Sequence, residues 1–183
     1  MSKLTPDAEL DLLFAPSVIP QAIRDALPAD LHIRPLAKSD YTRNHLPLLS
    51  ILSPAPDPGP AAYAAHFELL RSAPQTYFTI VIVAPATDRI VAVGTVFLER
   101  KFTRGLGVVG HIEDIAVDNT VQGKGLGKRI ILALLGISEA MGCYKTILNC
   151  SDANIPFYEK CGFAKKENEM AKYAPERAHT PRL

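Results

Sequence analysis

The segment QGKGLGKR, at residues 122–129, holds three glycines and three cations within eight positions. A run rich in β-branched residues, VVGHIEDIAVD (108–118), precedes it, and KRIILALLGISEAMG (128–142) follows with apolar residues at helical spacing. Successive backbone N–H groups in such a loop can surround an anion, and the dipole of the following helix favours negative charge. The pattern therefore predicts a strand, an anion-binding loop and a helix that ends at Gly142.

Two familiar phosphate-binding loops are excluded by single residues of this segment. A Walker loop needs Ser or Thr after its Gly-Lys pair, but Arg129 follows Lys128 here. A dinucleotide-binding fingerprint needs a third glycine three residues after the second, and that position is also Lys128. The pattern that remains is Gln-x-x-Gly-x-Gly, formed by Gln122, Gly125 and Gly127.

The rest of the chain predicts an α+β fold, in which a strand meander is followed by strand–helix–strand–helix–strand. Pro60 is placed to begin a helix, and Pro47 to kink or end one. The predicted strands cover 31–36, 76–84, 89–100, 108–118, 144–150 and 163–173, and the predicted helices cover 38–52, 61–73, 128–142 and 152–162. Residues 1–29 are expected to form an extension with short helices against a domain at 30–173, and residues 174–183 a polar tail.

The composition excludes several other classes of protein. With 20 Lys and Arg against 19 Asp and Glu, the formal net charge of +1 argues against nucleic-acid binding through bulk charge. No apolar run is long enough to cross a bilayer, and Asp7, Glu9 and Asp11 interrupt any N-terminal signal peptide. Three cysteines without CxxC spacing indicate reduced thiols in a cytoplasmic protein, and the histidines show no metal-ligand spacing.

Four motifs occur in an order and spacing that narrow the prediction: GHIEDIAV, QGKGLGK, GCYK and NIPFYEKCGF. Together they resemble the glucosamine-6-phosphate N-acetyltransferase family of the GNAT superfamily, over residues 31–173 and most densely over 110–163. The resemblance implies a mixed central sheet flanked by helices, with acetyl-CoA in the cleft beside the central strand. It also implies a homodimer that transfers acetyl from acetyl-CoA to the amine of glucosamine 6-phosphate, in UDP-N-acetylglucosamine biosynthesis.

The same resemblance implies which residues form the site. Coenzyme contacts are expected from Ile115, Ala116, Val117, Gln122, Gly123, Lys124, Gly125, Leu126, Gly127, Lys128, Asn149, Asn154 and Tyr158. Sugar-phosphate contacts are expected from Ser50, Lys101, Phe102, Thr103, Arg104, Glu113, Asp114, Ile115, Tyr144, Lys145 and Tyr173. Glu113 and Asp114, as neighbours in a strand, are expected to leave its opposite faces.

Tyr158 and Asn149 are the predicted catalytic residues. A phenol with a pKa of about 10 can donate a proton to the departing thiolate, which is the role expected of Tyr158. Asn149 stands where the family has a carboxylate, and Tyr173 where it has an arginine that meets the phosphate. An amide oxygen can accept a hydrogen bond from the amine but cannot take up its proton, so Asn149 is assigned an orienting role. Two alternatives stay open: an acetyltransferase for another amine such as a protein lysine, and an acetyl-CoA sensor without turnover.

Overall fold

A computed structural model describes residues 3–121 and 123–174 of the chain. Within these residues, five strands form one mixed sheet in the order β1-β2-β3-β4-β5. The first four strands pair antiparallel, and β5 joins β4 in parallel. The strands are His32–Pro35 (β1), Tyr77–Ala84 (β2), Arg89–Arg100 (β3), Val108–Val117 (β4) and Cys143–Leu148 (β5). The first five predicted strands are therefore confirmed to within two residues.

Helices and 3₁₀ turns connect these strands. The helices are Gln21–Asp25 (α1), His45–Leu49 (α2), Pro60–Arg71 (α3), Thr103–Leu106 (α4), Leu126–Ala140 (α5) and Ile155–Glu159 (α6). The 3₁₀ turns are Asp7–Glu9, Pro16–Val18, Lys38–Thr42 and Asp152–Asn154. Pro60 begins α3 as predicted, and α5 begins at Leu126, two residues before the predicted start. Gln122 and the tail from residue 175 lie outside the described residues.

The chain divides into two compact units, one ending at Leu148 and the other beginning at Asn149. The first unit contains the whole sheet, and its core explains the long apolar run of β2. That strand is buried continuously from Phe78 to Val83, which requires cover on both faces. Helix α5 packs against β2, β3 and β4, and Phe67 of α3 lies in a cluster with Val81 and Val83.

The predicted helix at 38–52 is wrong in its extent. The structure has a 3₁₀ turn and then α2, separated by Asn44 in a left-handed conformation with φ 76°. The break arises because Asp40 turns inward, where Arg34 donates to its two carboxylate oxygens at 2.7 and 2.8 Å. Pro47 neither kinks nor ends this segment, because it lies in the first turn of α2, where a missing N–H is tolerated.

The predicted last strand at 163–173 is also wrong, since the described residues 163–174 contain no strand. Its sequence is rich in charge, and residues 164–174 are exposed throughout. An extended segment becomes a strand only when a neighbour accepts and donates its backbone hydrogen bonds, and this segment has no such neighbour among the described residues.

The N-terminal residues pack closely within the first unit. Leu13 donates its backbone N–H to Leu36 at 2.8 Å, and the side chain of Ile19 is completely buried. Pro20, just before α1, lies against Gly136 in the middle of α5, where a Cβ would come within 2.9 Å of the proline ring. The segment before β1 is thus fixed against the helix that follows the glycine loop.

Candidate active site

The centre of β4 carries a β-bulge. Thr95 pairs with Glu113 and Val93 with Ala116, so that Gly94 alone opposes both Asp114 and Ile115. Asp114 has a φ of 56°, and a Cβ at Gly94 would lie 2.5 Å from Cδ1 of Ile115. The bulge therefore needs a glycine on β3, and it re-aims the backbone of β4 at this point.

The prediction that Glu113 and Asp114 leave opposite faces assumed a regular strand. The bulge interrupts the alternation on which that prediction depends, and both side chains are exposed. The opposite-face arrangement therefore stays a prediction, because a left-handed residue interrupts the period of two. Neither carboxylate lies in the apolar core.

Beyond the bulge, β4 and β5 are no longer paired. The last pair in their ladder joins Ile112 to Leu148, and among the described residues the stretch 113–117 has a ladder partner only on β3. On the β5 side, the backbone groups of Ile115, Ala116 and Val117 therefore have no ladder partner among the described residues. An extended ligand with amide groups could lie along this edge.

The glycine loop leads from β4 into α5. Gly123 and Gly125 have φ values of 81° and 61°, in the left-handed region that favours glycine. Gly125 is the N-cap residue of α5, and, its chain neighbours and the helix backbone apart, no heavy atom of the described residues lies within 4 Å of the position that its Cβ would take. The glycines are therefore needed here for backbone conformation. Helix α5 has 15 residues, and the N–H groups of its first turn have no acceptor within the helix, which favours an anion at this end.

The cations predicted to meet a phosphate lie around the turn α4 and on β5. Arg104 stacks over the ring of Tyr144, with its guanidinium carbon 5.7 Å from the ring centre. Gly107 is tightly enclosed, because a Cβ there would approach this ring to 2.9 Å. Lys145 follows Tyr144 and is exposed, as are Phe102 and Thr103. The structure thus brings Arg104 to Tyr144, and the role of both residues in substrate binding stays a prediction.

Two residues of this region were missed by sequence reasoning. Glu99 pairs with Lys101 at 2.5 Å and with Nε2 of His111 at 3.0 Å. The hydrogen bond from Lys101 has the larger effect and that from His111 the smaller, and together they hold the pKa of Glu99 below its usual range. No pattern in the sequence indicates these contacts, because they depend on the antiparallel register of β3 and β4, which sets Phe97 opposite His111.

Ser50, by contrast, makes its hydrogen bond within its own helix. It is exposed at the end of α2 and donates its hydroxyl to the carbonyl of Leu46 at 3.0 Å. Among the described residues, it forms no hydrogen bond with another predicted substrate residue. Its role in substrate binding stays a prediction.

The unit that begins at Asn149 holds the other predicted site residues. Tyr158 is half-buried between Phe157 and Phe163, whose ring centres lie 5.1 and 6.1 Å from its own. Burial, followed by the thiols of Cys150 and Cys161, raises the pKa of Tyr158. Asn149 and Asn154 are exposed, and Tyr173 is 89% exposed. A phenol with a raised pKa keeps its proton at neutral pH, as a proton donor must.

Two further features are absent from the residues that the structure describes. No group of three or more His, Cys, Asp or Glu side chains there is arranged to hold a metal ion. None of the helices in the described ranges is both long and apolar enough to span a bilayer.

The site thus combines two features. Strand β4 is bulged and has parted from its parallel neighbour β5, and a glycine loop then leads into the N-terminus of α5. This arrangement suits a ligand with an extended arm and an anionic group, as expected of the acetyl-CoA of an acyltransferase. A family model described as "Acetyltransferase (GNAT) family" matches residues 41–163. The chain belongs to the GNAT acetyltransferase family.

Individual relatives agree with this assignment. The chain is 43% identical over 141 residues to glucosamine 6-phosphate N-acetyltransferase 1 of Oryza sativa subsp. japonica, covering 77% of this chain and 86% of the relative. It is also 43% identical over 141 residues to glucosamine 6-phosphate N-acetyltransferase of Trypanosoma brucei brucei, covering 77% and 94%. The crystal structure of glucosamine-6-phosphate N-acetyltransferase from Arabidopsis thaliana matches with a TM-score of 0.76 at 39% identity, covering 78% of this chain and 97% of that one.

Proposed function

We propose that this chain transfers the acetyl group of acetyl-CoA to the amine of glucosamine 6-phosphate. The products are N-acetylglucosamine 6-phosphate and CoA, in UDP-N-acetylglucosamine biosynthesis. The observation that carries the proposal is the 43% identity, along 77% of the chain, to relatives that bear this activity in their names. The unpaired edge of β4 and the left-handed glycines of the loop support the coenzyme half of it.

The coenzyme is proposed to bind in two parts. Its pantetheine arm lies along Ile115–Val117 and its pyrophosphate at residues 123–128, where the N–H groups and the helix dipole favour negative charge. The amine attacks the acetyl carbonyl, and the C–S bond breaks as the thiolate leaves. Tyr158 then donates its phenolic proton to the thiolate sulfur.

The phosphate of the sugar is proposed to bind at Lys101, Arg104 and Lys145. We expect Arg104→Ala and Lys145→Ala each to raise KM for glucosamine 6-phosphate about tenfold or more, since charge-assisted hydrogen bonds contribute roughly 1.5–3 kcal/mol. KM for acetyl-CoA should stay near the wild-type value. Steady-state kinetics with each substrate varied in turn measure both constants.

The matched control is Arg89→Ala, which removes an exposed cation at the start of β3. It should leave both KM values unchanged. Glucosamine without its phosphate is the second control and should be a poor acceptor. Equal kcat/KM for glucosamine and its 6-phosphate would show that these cations do not form a phosphate site.

Asn149 is proposed to orient the amine through its carbonyl oxygen, with water carrying the proton away. We expect Asn149→Asp to change kcat by less than about tenfold, or roughly 1.4 kcal/mol. Asn149→Ala should lower kcat further, because it leaves the amine without this acceptor. A pH–rate series on the three proteins measures the effect. An inactive wild type with an active Asn149→Asp variant would favour the acetyl-CoA sensor.

A homodimer and a cytoplasmic location complete the proposal. Strand β5 lies at the edge of the sheet and exposes Tyr144 and Ile147, an edge that another chain could cover. Light scattering should give twice the chain mass at working concentration, whereas a fully active monomer would contradict this. Cys143 and Cys150 are free thiols, which suits a reducing compartment.

A further inference from the structure

Arg129, in the first turn of α5, joins the glycine loop to the N-terminal segment. Its Nε donates to the carbonyl of Lys124 at 2.9 Å, and its Nη1 donates to the carbonyl of Ala26 at 2.6 Å. Lys124 is tied to the same segment a second time, because its Nζ pairs with the carboxylate of Asp30. One guanidinium thus joins the backbone at Lys124 to the backbone at Ala26, which lies 103 positions before Arg129 in the sequence.

The bond to Lys124 fixes the direction of a peptide group. In a planar trans peptide, the carbonyl of one residue and the N–H of the next point to opposite sides. The described chain contains no cis peptide, so holding the Lys124 oxygen toward Arg129 turns the Gly125 N–H the other way. That N–H has no acceptor among the described residues.

The loop needs such a tie because of its glycines. Gly123 and Gly125 both adopt left-handed conformations, and glycine exchanges left- and right-handed states more readily than any other residue. A loop free to do so would aim its N–H groups at an anion only part of the time. Binding would then have to supply the ordering entropy.

The acceptor at Ala26 is itself held in place. Ala26 ends α1, where it donates its N–H to Ala22, and Leu27 donates to Arg24. The residues just before α1 are anchored by the burial of Ile19 and the contact of Pro20 with Gly136. The segment 26–30 is therefore a fixed support beside the loop.

We propose that Arg129 is a positioning residue for the coenzyme, which uses the segment 26–30 as its support. It holds the peptide between Lys124 and Gly125 so that the Gly125 N–H faces the pyrophosphate. This inference rests on the proposed function, since it takes the loop at 123–128 as the pyrophosphate site. The N-terminal segment and Arg129 together set the affinity for the coenzyme without touching the sugar.

The test compares two acetyl donors in the full-length protein. Arg129→Ala should raise Kd and KM for acetyl-CoA about tenfold, since it removes two charge-assisted hydrogen bonds. With S-acetylpantetheine, which lacks the pyrophosphate, kcat/KM should stay at the wild-type value. KM for the sugar phosphate and kcat at saturating acetyl-CoA should also stay unchanged.

Three further measurements separate positioning from charge and from folding. Arg129→Lys keeps the charge, but an ammonium group lacks the planar, forked donors with which the guanidinium reaches the carbonyls of both Lys124 and Ala26. This variant should therefore recover only part of the affinity for acetyl-CoA. The ratio of variant to wild-type Kd should persist between about 0.05 M and about 0.5 M NaCl, whereas a long-range charge effect would be screened. Circular dichroism and thermal melting of Arg129→Ala and Arg129→Lys verify that both remain folded.

The outcomes separate this inference from the proposed function. Equal loss with both donors, full recovery in Arg129→Lys, or unchanged acetyl-CoA affinity in both variants would overturn the positioning role while wild-type turnover stands. A wild-type protein that does not bind acetyl-CoA would overturn the coenzyme site, and this inference with it.

Discussion

Replacing Tyr158 by Phe is expected to lower kcat for acetyl transfer by about 10²- to 10⁴-fold, the usual contribution of a positioned general acid. The variant keeps the ring that packs between Phe157 and Phe163 and loses only the hydroxyl. Without that proton the departing thiolate must be protonated by water. KM for acetyl-CoA and for the sugar phosphate should change little, because the phenol acts mainly in the transition state.

The pH profile gives an independent readout of the same role. Burial and the thiols of Cys150 and Cys161 raise the pKa of Tyr158, so its acid form persists above the pH at which a free phenol ionises. The wild-type kcat should therefore hold on the alkaline side until the phenol loses its proton. Tyr158→Phe should lack that limb. Tyr77→Phe, a change on β2 outside the site, is the control and should behave as wild type.

A kcat of Tyr158→Phe within about twofold of the wild-type value would show that this phenol is not the general acid, since a general acid contributes at least about 10²-fold to the rate. The proton would then come from water or from another group. The acetyltransferase activity itself would stand.

The second large effect is expected in stability. Asp40→Ala should lower the free energy of unfolding by about 3–5 kcal/mol, because it leaves the charge of Arg34 buried without its partner. Both side chains are 0% exposed, and Asp40 also accepts the backbone N–H of Ala37 at 2.8 Å. Nε of Arg34 already has no hydrogen-bond partner among the described residues, so little remains to compensate its charge.

Urea unfolding followed by circular dichroism measures the change. The matched control is Asp152→Ala, which removes a carboxylate from an exposed pair with Lys165 at 3.4 Å and should cost less than about 1 kcal/mol. A loss of similar size in both variants would show that burial does not govern the energy of the Arg34–Asp40 pair.

The sequence was sufficient to predict most of the sheet and the helix that follows the glycine loop. The strands β2 and β3 are long β-branched runs, and α5 has helical spacing that ends at Gly142, which has a φ of 77°. These signals are local, so a single sequence contains them. The bulge at Asp114 depends instead on a glycine of the neighbouring strand, which no pattern within β4 reveals.

The remaining errors also come from long-range contacts. The break at Asn44 follows from the inward turn of Asp40 toward Arg34, on a different element. The segment 163–173 has an extended pattern but no neighbouring strand among the described residues. The support of the loop by Ala26 depends on a hydrogen bond across 103 positions, and only a folded structure shows it.

The central claim is acetyl transfer from acetyl-CoA to the amine of glucosamine 6-phosphate. The most direct measurement incubates the purified full-length chain with both compounds, follows release of the CoA thiol and identifies the sugar product by mass spectrometry. We expect thiol release to match formation of N-acetylglucosamine 6-phosphate mole for mole, with glucosamine and a lysine peptide far poorer acceptors. Thiol release with the lysine peptide and none with glucosamine 6-phosphate, or binding of acetyl-CoA without turnover on any of the three amines, would contradict the account.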